Sequence, residues 1–262
     1  MIHTLRLQNE EADALFWHLA AEAGLDPKDR WVGGYAAYEW AHLRHVLGSY
    51  RLDVAGKDVL EFGCNVGGSL VVLAALGARA TGVDVDPSLP PLALANCRRH
   101  GLEARTTAIE AGRALPFDDA SFDLIVANSV LEYVADDALA RTIGEFHRLL
   151  RPGGHLLICG TASRLSPKES HSGRWLVNYW PRALDRLTGR PLQRGLSPLA
   201  LAAALKGRFA RAPDTDAAWC SARVAIHGRL TTATRACRAV GRLTGLGPGW
   251  ISPTIELLLR RL

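Results

Sequence analysis

Short apolar runs that suit buried strands recur along the chain between longer stretches of helical spacing. Residues 9–24 predict a first helix, with Leu15, Trp17, Leu19 and Ala23 among its apolar positions and Gly24 as its stop. Ala36 to Leu47 predicts a second, ended by Gly48. Val59–Phe62 then reads as a strand, Ser69–Leu76 as a helix and Ala80–Asp86 as a second strand. Leu92–His100 predicts a helix, Ala104–Ile109 a short strand and Phe122–Ala127 a fourth strand buried on both faces. A helix is expected from Asp136 through Leu150, stopped by Pro152-Gly153-Gly154, with a fifth strand at His155–Gly160. Further on, Ser197-Pro198 caps a helix to Leu205. Phe209–Ala212 and Trp219–His227 predict strands six and seven, and residues 229–243 and 254–262 predict basic helices.

The stretch that organises these elements is Val59-Leu60-Glu61-Phe62-Gly63-Cys64-Asn65-Val66-Gly67-Gly68. It reads as strand, glycine-rich turn and helix. Glycines let such a turn bend sharply and let a ligand approach the backbone. The following helix aims free N–H groups and its positive dipole end at that ligand. Asp84, with Val85 after it, stands at the end of the next strand. It lies 21 residues beyond Gly63, the spacing at which an acid reaches ribose hydroxyls in nucleotide-binding βαβ units. Residues 63–68 read G-C-N-V-G-G, so the middle glycine of a dinucleotide fingerprint is Asn65. No Lys-Ser or Lys-Thr pair follows, which excludes a Walker loop. A ligand with ribose and adenine but no pyrophosphate fits better, and S-adenosylmethionine (AdoMet) is such a ligand.

On these residues the chain resembles the class I AdoMet-dependent methyltransferases, type 11-like. Their first motif is an acid, one residue, then G-x-G-x-G; Asn65 departs from it at the middle glycine. Three later segments look like family motifs in the family's order: Leu115–Val126, Val130–Val134 and Leu149–Ile158. The resemblance implies a Rossmann-like three-layer α/β sandwich with a mostly parallel seven-stranded sheet. It implies AdoMet as cofactor, with Glu61, Gly63, Cys64, Asn65, Gly67, Asp84 and Val85 in its site. Glu110, after the third strand, is the candidate for the adenine amino group. Asn128 and Ser129 follow the fourth strand, at the carboxyl end where open sheets bind ligands. Tyr35, Tyr38 and Trp40, on the helix before the first strand, are candidate site aromatics by the same resemblance. The expected division is residues 1–50 as a helical cap and 51–160 as the cofactor core. Residues 161–262 are then an insertion, the last strands and basic helices of the same domain.

Composition adds a charge split. Residues 1–159 carry 14 Lys and Arg against 21 Asp and Glu, a balance of −7. Residues 160–262 carry 17 against 5, a balance of +12. Basic amphipathic helices commonly lie on anionic membranes, and the same charge suits a phosphate-bearing or lipid-linked sugar. Five scattered cysteines without a C-x-x-C pair point to a reducing compartment. No apolar leader and no run of eighteen apolar residues is present, so a cytoplasmic protein is expected, peripheral at the inner membrane face if the basic third binds lipid. No His/Asp/Glu cluster has ligand spacing, so no metal is expected.

Thr161–Arg194 lies outside every motif. It holds His171, Arg174, Asn178 and Tyr179 beside Trp175 and Trp180, a mixture suited to a sugar or a polar aromatic acceptor. His171 is the candidate base, with Tyr133 as the alternative. The function expected is methyl transfer to a polar small molecule or glycoconjugate, at oxygen. Two rivals stand beside it: an RNA methyltransferase and a catalytically silent AdoMet-binding subunit. Against nucleic acid, Asn128-Ser129-Val130-Leu131 stands where a base-flipping motif would be. Oligomeric state is left open.

Overall fold

A computed structural model of the chain describes residues 5–169, 172–181, 185–188 and 192–262. It divides into two compact units: Met1–Val126 with Arg148–His155, and Ala127–His147 with Leu156–Leu262. The elements of the first half are α1 (Glu10–Glu22), α2 (Tyr35–Ser49), β1 (Asp58–Phe62), α3 (Gly68–Ala75), β2 (Arg79–Asp84), α4 (Leu89–Arg99), β3 (Arg105–Ala108) and β4 (Phe122–Asn128). Those of the second are α5 (Leu139–Leu149), β5 (Leu150–Ala162), α6 (Asp185–Thr188), α7 (Pro198–Leu205), β6 (Phe209–Arg211), α8 (Thr215–His227), α9 (Thr232–Thr244), α10 (Pro248–Ile251) and β7 (Thr254–Arg261). The seven strands form one Rossmann-like sheet in the order β3-β2-β1-β4-β5-β7-β6. β1 pairs parallel with β2 and β4, β2 pairs parallel with β3, and β6 pairs antiparallel with β7.

In the first unit the two N-terminal helices dock on the nucleotide-type βαβ segment, α1 on α4 and α2 on α3. Asn9 caps α1, its side chain accepting from the Ala12 amide at 3.0 Å. The buried face of α1 is Ala12, Phe16 and Ala20, whereas Leu15 and Trp17 are exposed. Phe16 and Ala20 join Val32, Val66, Leu92 and Ala95 in one cluster. Arg99 closes this contact from α4. Its buried guanidinium lies 3.9 Å over the Phe16 ring and donates to Asp13, Asn96 and the Gly33 carbonyl. Such a charge is tolerable in a core only because each face of the fork finds an acceptor or a ring.

The C-terminal elements correct the sequence reading twice. Residues 219–227 are not strand seven but lie in α8, and residues 254–261 are not a helix but β7. Thr215, Trp219 and Ala222 are the buried residues of α8, a spacing of four and three that only a helix turns to one side. Ile255 to Leu259 are buried without a break. A run buried on both faces carries no period, so a strand there cannot be told from a core helix by pattern. β5 also starts earlier than expected, at Leu150, and α5 starts later, at Leu139.

Candidate cofactor site

Three loop segments of the first unit are stitched together by backbone. The Gly63 and Cys64 amides both donate to the Val83 carbonyl at 2.9 Å. The Asn65 amide donates to Asp84 Oδ2 at 2.8 Å, and the Asp86 amide to Asp84 Oδ1 at 3.1 Å. The Ile109 amide donates to the Asp84 carbonyl at 2.9 Å. Asp84 is thus an orienting acid with each carboxylate oxygen already aimed by an N–H, and spare lone pairs on both. Of the residues expected in the site, these bonds join Gly63, Cys64, Asn65 and Asp84.

Asn65, the apparent misfit, adopts φ +46°. That is the left-handed region, which Asn tolerates far better than other side chains. The turn therefore keeps a glycine-like backbone without the glycine. Gly67 has φ +83°, and a Cβ there would meet the Ala93 backbone at 2.8 and 2.9 Å. Its role is to let α3 and α4 close on each other, which differs from the expected role of clearing space for the ligand.

Glu61 is 3% exposed. Burial, and the like charges of Glu39 and Asp84, push its carboxyl well above the usual range, against bonds from the Ser69 side chain and the Leu70 backbone. Its Oε2 has no hydrogen-bond partner among the described residues. Tyr35 reaches the same place from α2. A Cβ on Gly68 would strike its ring, and its hydroxyl bonds Glu39, which with burial holds its proton firmly. An orphaned carboxylate oxygen among further acids calls for a cation. AdoMet carries an ammonium and a sulfonium, so the residues present fit it.

The remaining candidates scatter. Cys64 points its side chain inward, where a Cβ on Gly82 would crowd it, and burial raises its thiol, so only its backbone belongs to the turn. Glu110 is exposed and pairs with Arg113 at 3.3 Å. Val85 is half exposed. Of the aromatics, Tyr35 covers the glycine turn, Tyr38 stacks on His42, and Trp40 is buried in the core under Arg44.

Asn128, Ser129 and Tyr133 belong to the second unit. Ser129 sits at φ +52°, a strained value for a residue other than glycine, with its amide donating to the Cys159 carbonyl at 2.9 Å. Gly160 opposite leaves no room for a Cβ beside Ser129 and Asn128. Tyr133 is largely exposed, and burial of its phenol with the nearby Glu132 and Glu169 pushes its pKa up to about 12. At neutral pH it holds its proton, which suits a donor and disfavours it as a base. His171 lies outside the described residues. Asn178 and Tyr179 are already used within the unit. Asn178 donates to the Ser166 carbonyl at 2.8 Å and accepts from the Gly195 amide at 3.0 Å, and the Tyr179 hydroxyl donates to Leu165 at 2.7 Å.

Sequence motifs missed Asn96 and Arg99. The Asn96 amide donates to the Val66 carbonyl at 2.6 Å and its oxygen accepts from Arg99 at 2.9 Å. The pair ties the glycine turn to the helical cap. Nothing in an Asn and an Arg near a helix end signals this, because their partners are 30 and 86 positions away.

Comparison with known proteins finds a family match over the same stretch. Residues 60–158 match the methyltransferase domain family. The chain is similar to a demethylmenaquinone methyltransferase of Tropheryma whipplei, 33% identical over 53% of each chain. A ribosomal protein L11 methyltransferase of Thermus thermophilus is 38% identical over 48% of this chain and 53% of its own. A ubiquinone biosynthesis O-methyltransferase of Maricaulis maris is 32% identical over 50% and 52%. The chain spans about half the length of the curated relatives it matches. Among solved structures, an S-adenosylmethionine-dependent methyltransferase from Mesorhizobium loti shares the fold with a TM-score of 0.53 at 21% identity, over 85% of this chain and 97% of its own. By that match residues 60–158 are a methyltransferase domain, of the class I AdoMet-dependent type. Its cofactor is AdoMet.

Proposed function

We propose that the protein is a methyltransferase acting on a small molecule, with oxygen as the acceptor atom. The observation that carries the cofactor half is the locking of the Asn65 amide onto Asp84, which presents a strand-end carboxylate beside a glycine turn. The small-molecule reading draws on the quinone-pathway names of two relatives, one of them an O-methyltransferase. Against it stands a relative named for a ribosomal protein, matched over a similar stretch.

AdoMet, when bound, supplies a methyl group already activated by its sulfonium. The work left to this chain is placement. Asp84 would hold the ribose hydroxyls, and Glu61 with Glu39 would face the cationic portion. Tyr35 would cover the turn and keep water off it. An oxygen acceptor must be held at about 3 Å from the carbon it attacks and gains from a nearby base. His171 remains the candidate for that role.

The test is incubation of the purified chain with isotope-labelled AdoMet and fractionated small-molecule and RNA extracts, read by mass spectrometry. Label in a small-molecule fraction supports the proposal. Label in RNA alone would favour the nucleic-acid rival. Saturable AdoMet binding with no labelled product in any fraction would favour the silent binding subunit.

A further inference from the structure

The second unit contains a cavity of about 960 Å³. That is at the upper end of the volumes typical of small-molecule sites, roughly 300–1,000 Å³. Its wall is mostly apolar, with Leu165, Trp180, Leu199, Leu246, Trp250 and Ile251 among its residues. Several of these apolar side chains are open to solvent: Leu199 is 83% exposed, Leu246 56% and Leu165 53%. A concave apolar surface left in water is a standing cost that a matching apolar ligand removes.

The polar groups of the wall are almost all spent internally. Asn178 and Tyr179 bond backbone carbonyls, as described above. Arg194 is 7% exposed and forks onto Asp185 at 2.9 and 2.5 Å. Arg211 is paired with Asp216 and bonds Thr215 at 2.6 Å. Arg164 differs. Its backbone is fixed by the Leu196 carbonyl at 2.9 Å, and its Nε donates to the Gly195 carbonyl at 3.2 Å. Among the described residues its guanidinium meets no carboxylate. One half-buried cation with no counter-ion among the described residues, set in an apolar wall, complements an anionic head joined to an apolar chain.

We infer that this cavity binds a single-chain amphiphile, with the apolar chain against Leu165, Leu199, Leu246 and Trp250 and the anionic head on Arg164. Of the groups expected to suit a sugar or a polar aromatic acceptor, Asn178 and Tyr179 make their bonds within the unit. The inference stands on the second unit alone and does not depend on methyl transfer.

The test uses the full chain and cis-parinaric acid, a fluorescent single-chain carboxylate, below its micelle concentration, with its methyl ester as the uncharged control. Saturable one-to-one binding is expected, with quenching of tryptophan emission. Shorter saturated carboxylates should compete less well, by about fourfold per methylene removed. Arg164→Gln should weaken the acid about tenfold or more and leave the ester within about twofold. Leu199→Asp, at an exposed position that folding does not need, should weaken both. Equal affinity for acid and ester in the wild type, or an acid affinity unmoved by both substitutions, would overturn the inference. So would binding to anionic vesicles with none to the monomeric probe, which would assign the apolar rim to a membrane surface.

Discussion

The Asn65 backbone amide donates to the Asp84 carboxylate at 2.8 Å from a residue held at φ +46°. One hydrogen bond therefore joins the turn's departure from the family motif to the acid proposed to hold the ribose. The left-handed backbone at Asn65 accompanies the N–H that aims Asp84. If Asp84 holds the ribose, its removal costs charge-assisted bonds of about 1.5–3 kcal/mol each. Asp84→Ala should weaken AdoMet about 10–100-fold by calorimetry, in a protein with native circular dichroism. Unchanged affinity would remove Asp84 from the site.

Asn65 itself should discriminate sharply between substitutions. Asn65→Gly relieves a left-handed residue and should leave stability within a few tenths of a kcal/mol. Asn65→Val places a β-branched side chain where Cβ crowds the carbonyl and should cost about 1–2 kcal/mol. Urea denaturation of the three proteins reads the difference, and equal midpoints for Val and Gly would contradict the backbone assignment.

Gly67→Ala should damage the fold as well as the site. The substitution strains a left-handed backbone and drives Cβ into the Ala93 backbone. Together these cost on the order of 3 kcal/mol. A drop in melting temperature without ligand is expected, and a mutant that melts like the wild type would show that α3 and α4 can part cheaply.

Glu61 makes stability depend on pH with a defined sign. Its folded pKa is raised, so the folded state binds the proton more tightly than the unfolded chain does. The stabilisation is complete below the unfolded value, about 4.3, and is lost as pH rises toward the folded value. Glu61→Gln removes that loss. The variant should therefore gain stability relative to the wild type between pH 4 and pH 8 without ligand, while binding cationic AdoMet more weakly. Parallel denaturation curves across that range check the first part and calorimetry the second. A stability difference that does not move with pH would mean that Glu61 binds its proton equally well folded and unfolded.

The cofactor half was legible in the sequence because its determinants are local. A strand, a glycine turn and an acid 21 residues on are close in the chain, and each element is set by its own short pattern. Even the odd Asn65 belongs to this local grammar, since Asn is the side chain that best replaces glycine in a left-handed turn. Asn96, Arg99 and Glu39 were not legible as neighbours of the turn. Their importance comes from partners brought in by folding, and a buried charge network leaves no periodic trace.

The C-terminal third divides the same way. Its basic balance and its Trp content are sequence facts, fixed by composition alone. Whether Trp219 sits on a helix or a strand, and whether Ile255–Leu259 does, depended on which surfaces were left to bury. Short segments without a clear period satisfy either backbone, and only packing chooses. Tertiary structure also decided that Asn178 and Tyr179 turn to backbone carbonyls while Arg164 meets no carboxylate among the described residues. A polar side chain bonds whatever the fold places within reach, so the sequence named the groups and the fold determined which were free to meet a ligand.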